Sequence, residues 1–221
     1  MSEEWYGLEG VEFMGLNIRK RVKFLGEGVR VYPLCKMINA QNAELHDYCR
    51  LFDYTYIDAG KTLKIGKYAT VTWHCLIEGN GVAILGNRVF LGPGTKILTS
   101  TYKLNGYYGT ELLPEGCQAI EYGDILIEDD AYLGAGCTVF PGSVIREGAV
   151  VGANSFVKGE LEPWIIYAGS PCRPVGVREK PTPERARKIA SINWENMSAG
   201  GGSVNLLFLC VSPYPTVFYE P

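Results

Sequence analysis

The 221-residue chain holds two histidines, His46 and His74, so a side chain able to take up a proton near neutral pH comes from a very short list. They do not form an HxxxxH pair, and two imidazoles this far apart in sequence do not furnish a metal site. The seven cysteines are odd in number and lack CxxC spacing, so they are expected to be reduced thiols used as small core residues.

An aliphatic beat must position these residues. In residues 125–157 it returns every six positions, at Ile127, Leu133, Val139, Ile145, Val151 and Val157, which suits neither helix nor hairpin. Two positions before most of these beats stands a small residue: Ala131, Cys137, Ser143, Ala149, Ser155. Each short strand then buries one large and one small side chain on the same face. The beat extends back through Leu45, Leu51, Ile57, then Ile65, Val71, Ile77, then Leu85, Leu91, Ile97. Sets of three beats open at 45, 65, 85, 127 and 145, giving five coils of about 18 residues, with Val29 and Val31 marking an earlier, ragged one. The fold class is an all-β solenoid, a hexapeptide-repeat parallel β-helix with a long inserted loop and a C-terminal helix. His74 stands three residues after Val71 and three before Ile77, on a corner that points away from the core. His46 takes the glycine position of its repeat, a structural corner.

A net charge of −3 gives no basic face for nucleic acid. The acidic start MSEEWYGLEG lacks a signal-peptide pattern, and the run LLFLCV is too short to span a bilayer, so the expectation is a cytoplasmic protein without membrane insertion. Residues 1–28 read as a cap, 29–177 as the solenoid with residues 98–124 inserted, 178–197 as a helix opened by Thr182, Pro183 and Glu184, and 198–221 as a tail. At 27 residues the insertion is longer than a corner requires, which places binding or catalysis at its base.

The coils, together with AYLGAGCTVFPGSVIREGAVVGANSFV and YAGSPCRPVG, resemble the hexapeptide-repeat acyltransferases with a left-handed β-helix, in the branch of sugar O-acetyltransferases and nucleotide-sugar N-acyltransferases. The resemblance implies a homotrimer with acetyl-CoA, or another acyl-CoA, in a cleft between subunits and no metal, since the zinc hydratases that share the coil need three histidines per site. It implies contacts of the pantetheine arm at Ala135 and Ala153, each preceded by glycine, and of the nucleotide at Lys158, Gly159 and Arg173, with Arg178 as a second cation. Acceptor contacts carry over to Thr72 and Asn80, and the inserted loop adds Tyr102, which can donate a hydrogen bond or shape the pocket, with Asn105, Glu111 and Glu115.

The family's O-acetyltransferases place a histidine base after the third coil, and here Tyr102 stands in its place. A phenol with a pKa near 10 is a poor base at neutral pH. His74 is the remaining candidate for general base, while an amino acceptor needs less help than a hydroxyl. The expected function is therefore transfer of an acyl group to a nucleotide-linked amino sugar of a surface glycan. Sugar O-acetylation and a catalytically inactive β-helix scaffold are the alternatives.

Overall fold

The computed structural model describes residues 11–13 and 15–191. The chain winds as a three-sided solenoid of seven turns, each face a parallel sheet. Face one runs from Phe24–Leu25 through Ala43–Leu45, Thr62–Ile65, Val82–Leu85, Ile125–Ile127 and Val144–Ile145 to Glu160–Leu161. Face two runs from Arg30–Val31 to Ile165–Gly169, where the antiparallel strand Cys172–Val177 turns back on it. Face three runs from Lys36–Ile38 to Phe156–Val157, with Val11–Phe13 added antiparallel at its start.

The six-residue beat causes this shape. The beat residues from Leu45 to Val157 stack in register, Leu51 on Val71, Leu91, Leu133 and Val151 in turn, and none is more than 1% exposed. Each such side chain contributes roughly 1.5–3 kcal/mol by leaving water. Trimming one therefore opens a cavity between coils that cannot close: Leu91→Ala is expected to cost about 2–5 kcal/mol, read as a shift in the urea unfolding midpoint. Cys35, Cys49, Cys75 and Cys137 fill small inward positions and are buried free thiols.

The solenoid opens at Phe24, ahead of residue 29. That first turn keeps the six-residue beat at Leu25, Val31 and Met37, which pair in register with Leu45, Leu51 and Ile57, but Leu25 at the open end is 36% exposed, leaving Met37 and Val29 to supply its buried core. Helix α1, Gly15–Arg21, closes this end by burying Ile18 completely. Helix α2, Pro183–Ala190, begins at Thr182, whose hydroxyl accepts from Arg185 N at 3.4 Å. The tail at 198–221 and the end of the expected helix lie outside the described residues.

Candidate functional site

The corners between faces two and three form one long edge of the prism. Five successive corners place a residue in the left-handed backbone region, in turn Tyr54, His74, Gly94, Gly136 and Asn154, with φ between 56° and 72°. Tyrosine and histidine hold that conformation at a cost of about 1–2 kcal/mol each. Their rings are stacked, 5.2 Å apart and 8° from parallel. Above His74 the edge carries little side chain, since Gly94 and Gly136 have none, until Asn154, whose side chain lies over Gly136. Ala135 and Ala153 sit there, exposed and one coil apart, about 4.8 Å along the axis. Glycines one coil below let successive coils touch: a Cβ on Gly92 would lie 2.6 Å from Ala135 N, and one on Gly134 2.6 Å from Ala153 N. Arg173 tops this column, exposed and paired with Ala168 across the terminal hairpin.

The corners between faces three and one form a second edge, and the long insertion leaves from it. Ser100–Tyr102 and Ile120–Tyr122 pair antiparallel, so the insertion stands out as a hairpin whose base is closed by Gly123 N donating to Thr99 O at 3.0 Å. At that base lies an open cavity of about 330 Å³, bordered by Tyr56, Asp58, Glu78, Asn80, Ser100 and Tyr122. Asp58 is fixed by Asn39 Nδ2 at 2.8 Å and Gly60 N at 2.9 Å, whereas Glu78 and Asn80 are exposed. Partial burial, with Asp58 and Glu78 adding negative charge, raises the pKa of Tyr56. Asn105 is exposed farther out on the hairpin, and Lys158 with Gly159 is exposed on this same edge two coils beyond.

The expected site residues thus divide into two groups, one on each edge of face three. His74, Ala135, Ala153 and Arg173 share the first edge; Asn80, Tyr102, Asn105, Lys158 and Gly159 share the second. Tyr102 donates its hydroxyl to Glu111 Oε2 at 2.9 Å, and this bond, with the carboxylate's charge, raises its pKa further above the ordinary phenol value. It cannot stand in for the family's histidine base at neutral pH.

Thr72 is a correction. It is fully buried and its hydroxyl donates to Leu91 O at 2.7 Å, so its side chain ties two coils together and offers nothing to an acceptor. Arg178 is a second correction: its Nη1 donates to Asp130 O at 2.7 Å and Gly148 O at 3.0 Å, and its guanidinium lies 5.5 Å from the Trp164 ring centroid. It caps a corner instead of waiting for a phosphate. His46 packs against Phe24, with ring centroids 4.9 Å apart, as a corner residue does.

Asp58 and Glu78 were not marked out by the sequence reading. Their signal is positional, since each follows the third beat of its coil, Ile57 and Ile77, which stack in register. Among the described residues no group of three or more His, Cys, Asp or Glu could hold a metal ion, and no helix is long and apolar enough to cross a membrane.

No protein-family model matches the chain. It is 31% identical over 119 residues to a Schizosaccharomyces pombe protein named as an acetyltransferase, spanning 53% of this chain and about half, 54%, of that relative. It is 25% identical over 160 residues to the dTDP-4-amino-4,6-dideoxy-D-glucose acyltransferase of Escherichia coli, covering 72% of this chain and 83% of the enzyme. Among solved structures, the N-acyltransferase AntD of Bacillus cereus, in complex with dTDP and 3-hydroxybutyryl-CoA, superposes with a TM-score of 0.70 at 22% identity, over 85% of this chain and 97% of AntD. The fold is that of the left-handed β-helix acyltransferases.

Proposed function

We propose that the chain, which shares the fold of the left-handed β-helix acyltransferases and is similar in sequence to acyltransferases, transfers an acyl group from acyl-coenzyme A to the amino group of a nucleotide-linked amino sugar. The observation that carries this reading is the division of the site over two edges of one prism. A column of mostly small residues, broken by Asn154, runs along the first edge from His74 to Arg173, a shape that suits an extended thioester arm. A polar cavity under a hairpin sits on the second, where the amino sugar would enter with its nucleotide outside. Neither edge is a complete site by itself. A cyclic arrangement that lays the first edge of each subunit against the second edge of the next completes every site, and a three-sided prism closes such a ring as a homotrimer.

In this arrangement Ala135 and Ala153 hold the pantetheine arm, and Arg173 with the neighbouring subunit's Lys158 and Gly159 meets the nucleotide of coenzyme A. Asn80 and Asn105 hydrogen-bond the sugar, and Glu78 draws the acceptor's ammonium group to the cavity. The ammonium first gives up one proton to solvent, and the neutral amine attacks the thioester carbonyl. A C–N bond forms, the C–S bond breaks and coenzyme A leaves as the thiolate, which takes up a proton. His74 accepts the proton that the amine loses, because it is the exposed basic side chain at the foot of the donor column. The amide product is then an acylamino sugar of the kind used in surface glycans.

The test is release of free thiol from acetyl-CoA with dTDP-4-amino-4,6-dideoxyglucose and, separately, with hydroxyl sugars. Amine-dependent release is expected. Release with hydroxyl sugars alone would turn the reading to O-acetylation, and coenzyme A binding without turnover on either would leave a scaffold.

A further inference from the structure

Along the first edge one contact repeats in three successive coils. The small inward residue of a corner donates to the corner carbonyl of the following coil: Cys75 Sγ to Gly92 O at 3.3 Å, Thr95 Oγ1 to Gly134 O at 3.1 Å, Cys137 Sγ to Gly152 O at 3.1 Å. All three donors are buried, and burial pushes the Cys75 and Cys137 thiols up to about 11, so both retain their S–H. A planar trans peptide points its C=O and the following N–H in opposite directions. A carbonyl drawn inward therefore turns the next residue's amide outward. Those next residues are Pro93, Ala135 and Ala153. Proline has no N–H to offer. The edge thus presents two outward donors, one coil or about 4.8 Å apart, on exposed alanines, and the series stops at Pro93, one coil above His74.

We infer that Thr95 and Cys137 are positioning residues for the acyl donor: by holding two carbonyls inward they aim the amides of Ala135 and Ala153 at the two amide carbonyls of a pantetheine arm. The inference rests on the acyl-CoA reading above. Two methylene groups separate the amides of a pantetheine, a spacing of the same order as the coil repeat, so one arm engages both donors at once. The arm's thioester end then lies at the level of Pro93, beside His74. Thr95 and Cys137 never touch the donor; they act through Gly134 and Gly152. A purely space-filling role would leave the hydroxyl and the thiol irrelevant.

Thr95→Val keeps the shape and removes the hydroxyl, whereas Thr95→Ser keeps the hydroxyl. The experiment is calorimetric titration of the full chain with coenzyme A and with adenosine 3′,5′-bisphosphate, which lacks the arm. Thr95→Val is expected to weaken coenzyme A about tenfold with the bisphosphate affinity retained, and to raise KM for acetyl-CoA by a similar factor with little change in kcat; Thr95→Ser recovers most of the loss. Coenzyme A affinity within twofold of wild type, or equal loss of both ligands, overturns the inference. If Thr95→Val does not fold, Cys137→Ala against Cys137→Ser carries the same test. A wild type that does not bind coenzyme A at all overturns the acyl-CoA reading first, and the inference with it.

Discussion

His74→Asn is expected to lower turnover on the amino-sugar acceptor at least about a hundredfold, close to 2.7 kcal/mol of transition-state stabilisation, while coenzyme A affinity changes only a few-fold. Asparagine is the informative replacement because residue 74 sits at a φ of 58°, where asparagine is tolerated and alanine is strained. The backbone stays in place and the proton acceptor is lost. Steady-state thiol release at saturating acetyl-CoA reads the effect. If activity on the amine survives, the amine's proton passes directly to the departing thiolate or to solvent, and the imidazole serves only to stack on Tyr54. A parallel drop in coenzyme A affinity would place His74 in donor binding instead.

Gly134→Ala is expected to damage stability and donor binding together. The added methyl would lie 2.6 Å from Ala153 N, 2.9 Å from its Cα and 3.1 Å from the carbonyl carbon of Gly152, all of them backbone atoms that cannot swing aside. Relief requires spreading two coils at the point where the arm lies. A loss of about 1–3 kcal/mol in urea unfolding is expected, with coenzyme A affinity reduced tenfold or more in calorimetry. Gly142→Ala is the control. Its φ is 78° and nothing lies within 4 Å of its added methyl, so it incurs only the left-handed backbone cost of about 1–2 kcal/mol. Equal coenzyme A affinities in the two variants would show that close stacking of the coils does not shape the groove.

The solenoid was legible because its core repeats. Leu45, Leu91 and Val151 announce their burial by spacing alone, and the same spacing puts His74, Gly136 and Asn154 on one edge, each three residues past a beat of the same face. The first turn was legible in principle, since Leu25, Val31 and Met37 keep the six-residue spacing and pair in register with Leu45, Leu51 and Ile57. Thr72 misled for a local reason. The residue after a beat would face out on a flat strand, but on this face the chain turns its corner there and buries it, as it does Phe52, Gly92, Gly134 and Gly152, and in Thr72 the hydroxyl is tucked onto Leu91 O. Arg178 looked free because its partners are backbone carbonyls of Asp130 and Gly148, which a sequence does not display. Likewise Thr95 reads as filler until its hydroxyl is seen on Gly134 O.

The hairpin of residues 98–124 interrupts the chain but not the stacking. Val82–Leu85 pairs with Ile125–Ile127 and Lys96–Leu98 with Thr138–Val139, as if nothing had been inserted between them. Its two ends are already joined where Gly123 meets Thr99, so the coils supply the closure and the hairpin needs none of their core. Such a segment behaves as an exchangeable cassette. On the proposed function, sequence drift within it would alter which acceptor is held while the donor column keeps its geometry, so that one scaffold could diversify its products one loop at a time.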